Sequence, residues 1–459
     1  MRRALPLVVV VAVFAAVFAA VESGASPSAN RAAEDGQWLT YGRDATLSNS
    51  TATILHAAGL KIRWRRQLDA VVYGSPVYLD NTVFVATEAG SVYALNAATG
   101  AVRWRRSLNA VQKLTDGCGS WGITSTPVID PSRNALFLIG GDGLLHELDL
   151  ASGRDVSPYP LQLITRPSVE YVWGGLRIIG GYLYAGVASY CDEKGSPAQT
   201  ADGRVIAFDL AGRRSLVLDT VRGPGNLGGV WGYGGVSSDG TYLYTAVGNA
   251  FSPDGDGAGY GDHVIRFTPA PGLKVVASNR PNEVPTGGDE DFGATPVLFQ
   301  PRSCPPLAAA NNKVGYAFVW LRKHISDGPL TSFGLADAVS PFLGAPAWSD
   351  EQQLLVFSAA KIGKVPGAEG VAALKVIGKC RFIQLWRTAT GRGVQPPPIV
   401  VGDLVFTPAG SGGIVALDAR TGKIAWRQRT IQPASAPLIE ADARVFAPVG
   451  NTIEAIADR

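Results

Sequence analysis

The chain has 459 residues, of which 55 are Gly, 30 Pro and 4 Cys, and only 17% are charged. Its 41 basic and 38 acidic side chains leave a formal charge of +3, too balanced to hold a polyanion by counterion release, which excludes nucleic acid as a partner. A small disulfide-stapled scaffold and a disordered chain are excluded as well, and abundant Gly and Pro without collagen periodicity suit many short strands joined by tight turns.

The amino terminus reads as an export signal. Arg2 and Arg3 precede an apolar run from Ala4 to Val21, and small residues follow at Ser23, Gly24 and Ala25. Residues 1–25 are expected to be a cleaved signal peptide; an uncleaved anchor is the competing reading, because the run nears bilayer-spanning length. The mature protein is expected outside the cytoplasm, secreted or associated with the envelope, where its cysteines can oxidise. Four thiols allow three pairings that sequence does not separate. Cys118 with Cys191 and Cys304 with Cys380 is the preferred set.

Residues 26–59 are expected to lead into a repeat domain over 60–459. Its clearest copies are Ser91 to Trp104 and Gly413 to Trp426, with identical spacing. In each, a strand alternates faces up to Leu95 or Leu417, Asn96 or Asp418 can bond the turn's own amides, and Gly100 or Gly422 supplies a positive φ before a second strand leads to Trp. Weaker copies are Leu148 to Gly153 and Phe208 to Gly212. A further strand pair lies upstream, as in Gly74 to Tyr78 followed by Val83 to Ala86, and Ser125 to Ile129 followed by Leu136 to Ile139. Four strands per unit make a propeller blade. Units starting near Val72, Gly122, Val172, Gly229, Asp291, Pro341, Gly393 and Pro433 predict an all-β, eight-bladed β-propeller. The last unit lacks its Trp strand, while Leu60 to Trp64 stands unpaired in front. That N-terminal strand is expected to complete the C-terminal blade and remove the open edges. Trp64, Trp104, Trp386 and Trp426 are read as wedges between blades.

Ordinary catalytic signatures are missing: there is no Gly-x-Ser-x-Gly, His-Glu-x-x-His or Cys-x-x-Cys, and the four His fall in different units. The run from Asp254 to Gly259 starts like a calcium loop, but Ala258 and Ile265 stand where the fifth and twelfth ligands belong, so it reads as a hairpin tip. The middle units are distinctive. Val230 to Gly235 is followed by Leu243 to Ala250, then by Asp289 to Leu298 and by Asn311 to Tyr316. From about Cys118 to Tyr316 the chain resembles the quinoprotein alcohol dehydrogenases, eight-bladed propellers that hold pyrroloquinoline quinone and calcium on the channel axis. The resemblance implies Trp231 as the floor under the quinone, Lys313 as the cation on its oxygens, Glu193, Asn249 and Asp291 as metal ligands, and Asp291 as the catalytic base. A carboxylate base, a polarising cation and an indole platform are the groups that hydride transfer from an alcohol to a planar quinone needs.

The sequence departs from that family in three places. Cys118 is followed by Gly119 rather than a second cysteine, Glu290 replaces the usual Trp before the catalytic Asp, and no haem motif is present. The implied activity is oxidation of a small or polymeric alcohol by a monomer that passes electrons to an external acceptor. The rival reading is a non-catalytic propeller that binds an envelope protein or a glycan.

Overall fold

The structure, a computed structural model, describes residues 36–459 except 114–118, 190–200, 222, 224, 251–258, 285–290, 336–343, 360–369, 392–395, 410–411, 431, 433 and 435. The export signal, the Cys118–Cys191 pair, Glu193, Glu290 and the tip of the Asp254 loop lie outside the described residues.

Eight sheets, each built on four antiparallel strands, form the blades of a propeller. The innermost strands are Val77–Leu79, Val128–Asp130, Arg177–Ile179, Ser237–Ser238, Val297–Phe299, Ala347–Ser349, Ile399–Val401 and Ile439–Ala441, for blades 1 to 8. Each begins five to eight residues after the unit start expected from sequence, because a loop precedes it on one face of the ring. Ring closure is as expected. Lys61–Gln67 pairs antiparallel with Thr452–Ala457, from Lys61 opposite Ala457 to Gln67 opposite Thr452, and so forms the outer strand of blade 8.

Neighbouring blades are clamped by the repeat tryptophans, and the wedge reading acquires a mechanism. The Nε1–H of Trp64, on the outer strand of blade 8, donates to Ala97 O in the blade 1 turn at 2.9 Å. Trp104 donates to Leu150 O, Trp386 to Ala419 O and Trp426 to Leu60 O, at 2.9 to 3.0 Å. In three of the four contacts the ring lies on the turn glycine: a Cβ on Gly100, Gly153 or Gly422 would sit 2.5 to 2.6 Å from Trp64, Trp104 or Trp386. These glycines also have φ of 67° to 69°. Two constraints, handedness and contact, therefore exclude a side chain. The turn from Asp209 differs from the sequence reading, since the positive φ falls on Arg213 rather than Gly212. Asp209 Oδ1 still accepts from the N–H groups of Ala211 and Gly212. The outer strand of the preceding blade, Leu161–Gln162, carries no Trp, so nothing demands a bare Cα at Arg213. Between blades 5 and 6 the expected Cys304–Cys380 disulfide is present.

The segment before the closing strand does more than lead into the ring. Between Trp38 and Thr53 it meets the inner strands of all eight blades in order. Trp38 and Tyr78 exchange two backbone hydrogen bonds, Ile129 N–H donates to Leu39 O, and Thr40 Oγ1 donates to Leu176 O beside the blade 3 strand. Ser238, Leu298, Trp348 and Val400 then donate their N–H groups to Ala45, Thr46, Ser48 and Asn49 at 2.7 to 2.9 Å, and Thr53 Oγ1 donates to Glu440 of blade 8. Buried Arg177 fastens this strap, donating to Tyr41 O, Asp44 O and Val236 O at 2.9 Å. Tyr41 and Leu47 are fully buried against Tyr233 and Ala345, so the strap carries an apolar plug into the ring.

The clamp is testable. Gly100→Ala should lower stability by about 2–4 kcal/mol, from the left-handed backbone and the clash with Trp64, whereas Arg213→Gly should change it by less than about 1 kcal/mol. Urea unfolding followed by Trp fluorescence measures both.

Candidate functional site

The residues singled out in the middle units converge at the face where the inner strands begin. Trp231 precedes the blade 4 inner strand and Asp291 that of blade 5. Asn249 follows Leu243–Ala246, and Lys313 lies in the turn between Leu307–Asn311 and Tyr316–Leu321. Their elements are short strands buried on both faces, which bring residues far apart in sequence to one rim.

Asp291 is the centre of the cluster and is wholly buried, at 0% exposure. Its Oδ2 accepts from Trp231 Nε1–H at 2.9 Å and from Asn249 N–H at 3.3 Å. Its Oδ1 lies 2.7 Å from Lys313 Nζ. Lys313 is itself only 7% exposed, and its N–H donates to Asp291 O at 2.9 Å, so side chain and backbone register the same pair. The ammonium also stands 4.6 Å from the centroid of the Trp231 ring, within cation–π range. Two glycines make room. A Cβ on Gly248 would fall 2.8 Å from Asp291 Oδ2, and one on Gly293 would fall 2.6 Å from Trp231 Cη2. Asn249 enters through its backbone, with its carbonyl accepting from Gly228 N–H at 2.7 Å.

A row of aromatic rings, not singled out from sequence, lines the same mouth. Tyr73 stacks on Trp173 with centroids 6.2 Å apart, and Trp121 lies 5.8 Å from Tyr73 and 6.1 Å from Trp173. Trp173 meets Tyr233, which stacks on Tyr41 of the strap at 6.4 Å. Tyr73, Trp121, Trp173 and Trp231 are half-buried, so part of their ring surface stays accessible. The signal that could have found them is register. Tyr73, Trp173 and Tyr233 each stand four residues before their inner strand, while Tyr171, Trp231 and Asp291 each stand six before theirs.

Glu88 buttresses this mouth: its carboxylate accepts from Gly122 N–H at 2.7 Å and Thr124 Oγ1 at 2.6 Å. Burial pushes its carboxyl above the usual value of 4.5, against the lowering effect of those two donors.

The fold and this register define the class, an eight-bladed propeller of PQQ-like repeats. The chain belongs to the PQQ-like repeat family described as outer membrane protein assembly factor BamB, whose profile matches residues 19–250 and 383–458. Among solved structures it is similar to the quinohemoprotein alcohol dehydrogenase of Comamonas testosteroni, with 14% identity, TM-score 0.70, and 94% of this chain and 82% of that one covered. It is also similar to a europium-containing methanol dehydrogenase, with 16% identity, TM-score 0.67, and coverage of 90% and 89%. BamB from Moraxella catarrhalis aligns with 13% identity, TM-score 0.59, and coverage of 87% and 99%. At such identities the likeness is one of fold. No curated protein matches the chain by sequence.

Two measurements probe the site. Asp291→Asn and Lys313→Met should each cost about 3–5 kcal/mol, because each breaks a buried ion pair from one side, while the double variant should recover most of the loss. Chemical denaturation of the four proteins gives the coupling energy. For Glu88 the raised folded value means a proton bound more tightly in the folded state. Its contribution is therefore fully present below about pH 4.5 and lost as pH rises through the raised value. Glu88→Gln should flatten that fall in melting temperature, and Glu440, raised by the same cause, should keep part of the slope.

Proposed function

We propose that the protein is an extracytoplasmic oxidoreductase of the quinone-dependent alcohol dehydrogenase type, holding pyrroloquinoline quinone at the Trp231 end of the channel. The observation that carries this reading is the buried cluster of Asp291, Lys313 and Trp231. Taking two charges out of water costs several kcal/mol per ion, roughly, and such pairs concentrate where chemistry uses them. Asp291 and Lys313 also fall in residues 251–382, the stretch between the two segments that the BamB family profile matches.

The residues suit the quinone. Trp231 presents a half-buried indole, the rings of Tyr73, Trp121 and Trp173 offer stacking surface, and the Lys313 ammonium is a donor for carbonyl oxygens. They suit calcium poorly. Calcium takes six to eight oxygens, roughly, whereas Asp291 Oδ2 already accepts two N–H groups and Oδ1 faces an ammonium. Glu193, the remaining expected ligand, lies outside the described residues, and no cluster of three acidic, His or Cys side chains occurs among those that are described.

A quinone held there would supply the hydride acceptor for the alcohol carbon. The alcohol hydroxyl would approach Asp291 Oδ1 beside the Lys313 ammonium and give its proton to that carboxylate. Lys313, held by its own N–H on Asp291 O, keeps a positive charge beside the oxygen as negative charge develops there. The product is an aldehyde or ketone, and an external acceptor reoxidises the cofactor. The substrate is a small or polymeric alcohol, and the enzyme acts as a monomer. Export is supported by the charged, apolar and small-residue order of the amino terminus and by the Cys304–Cys380 disulfide.

Membership of the BamB family favours a second reading, a non-catalytic envelope propeller that binds a protein or glycan at the same mouth. The two separate on one titration. With the mature protein and added quinone, the first reading expects Trp fluorescence quenching and alcohol-dependent dye reduction; Asp291→Asn should lower turnover by about 10²- to 10⁴-fold while quenching persists. Absence of quenching at any quinone concentration tested would leave the scaffold reading.

A further inference from the structure

We propose that the Lys313 ammonium is the resident cation of this site, supplying beside Asp291 the positive charge that a divalent or trivalent metal would otherwise supply, so that the site assembles and binds its ligand without metal. The inference rests on the reading of the cluster as a ligand site and departs from the metal dependence that the resemblance implies.

The argument is geometric. A metal bound by Asp291 Oδ1 would lie about 2.3–2.6 Å from that oxygen. Lys313 Nζ lies 2.7 Å from the same wholly buried oxygen, so a metal there would stand within about 5 Å of the ammonium and be repelled by it. The other oxygen is unsuited to a cation as well, since the Trp231 Nε1–H and the Asn249 N–H both direct positive hydrogens at it. The ammonium is also positioned from its far side. The Trp231 ring faces it at 4.6 Å, and the backbone N–H of Lys313 bonds Asp291 O, which fixes the root of the side chain beside its partner. A carboxylate, an indole face and a backbone anchor thus hold one positive charge at the rim. That charge serves both functions a metal would serve there, neutralising Asp291 and offering positive charge to a ligand oxygen.

The test uses the mature full-length protein, with thermal melting and metal analysis as readouts. Wild type should melt within about 1 °C in EDTA, CaCl₂ or LaCl₃ and carry no stoichiometric metal. Lys313→Ala should melt lower and regain part of the loss on adding CaCl₂ or LaCl₃, because the substitution frees the carboxylate and opens the position. If that variant does not fold, the wild-type series still decides. A wild-type melting temperature that rises with either metal, in a way that Asp291→Asn abolishes, would overturn the proposal; a rise that survives Asp291→Asn places the metal elsewhere and agrees with it. Quinone quenching in EDTA separates the two levels. Binding that requires added metal sinks the ammonium reading and leaves the proposed function standing, whereas absence of binding with and without metal sinks the proposed function while the melting series still tests the cation.

Discussion

A propeller blade is a twisted sheet that can bury neither of its faces alone, so the molecule depends on how each blade is held against the next. Here the recurring device is an indole laid on a glycine turn, with its N–H on the turn's carbonyl. The contact combines a large apolar area with one directional bond. It links consecutive blades of a ring, so a strand that completes blade 8 from the amino terminus can carry Trp64 onto blade 1 and close the circle. Where the device is missing, other links appear, such as the Cys304–Cys380 bridge between blades 5 and 6. Freedom at the turn returns with its absence, as Arg213 illustrates.

Closure creates a second constraint inside the ring. Eight inner strands leave an axis to be filled, and the strap from Trp38 to Thr53 uses it, bonding each inner strand in turn while Tyr41 and Leu47 supply apolar bulk. The aromatic path from Tyr41 through Tyr233 to Trp173 joins this plug to the mouth lined by Tyr73 and Trp121. The rigid rim then holds Asp291 and Lys313, two charges kept from water by packing from blades 4 and 5. Such a pair is costly unless its hydrogen bonds are complete. Trp231 and Asn249 supply donors to Asp291 Oδ2 while the ammonium faces Oδ1, and the cluster depends on Gly248 and Gly293 remaining without side chains.

Much of the candidate site was legible because the repeat places equivalent residues in equivalent positions. Trp231, Asp291 and Lys313 were marked by motifs, and the structure brings them within hydrogen-bond or cation–π reach of one another. Asn249 was marked for its side chain, yet it reaches Asp291 through its N–H, a distinction that residue type does not carry. The mouth aromatics carry no motif in sequence, because each is an ordinary residue within its own unit. They form a surface only when blades 1 to 4 are set around the axis.

The amino-acid sequence by itself determined the blade count, the hairpin turns, the tryptophan wedges and the closing strand, since these follow from short-range periodicity and from one unit lacking what the front of the chain has spare. Only the tertiary structure decided the course of the strap, the position of the αL residue at Arg213 and the meeting of the Lys313 ammonium with Asp291. Those depend on which groups face the axis once the ring is shut. Backbone pairing across eight blades and the partner of a buried charge are properties of that enclosed space, which no single stretch of chain encodes.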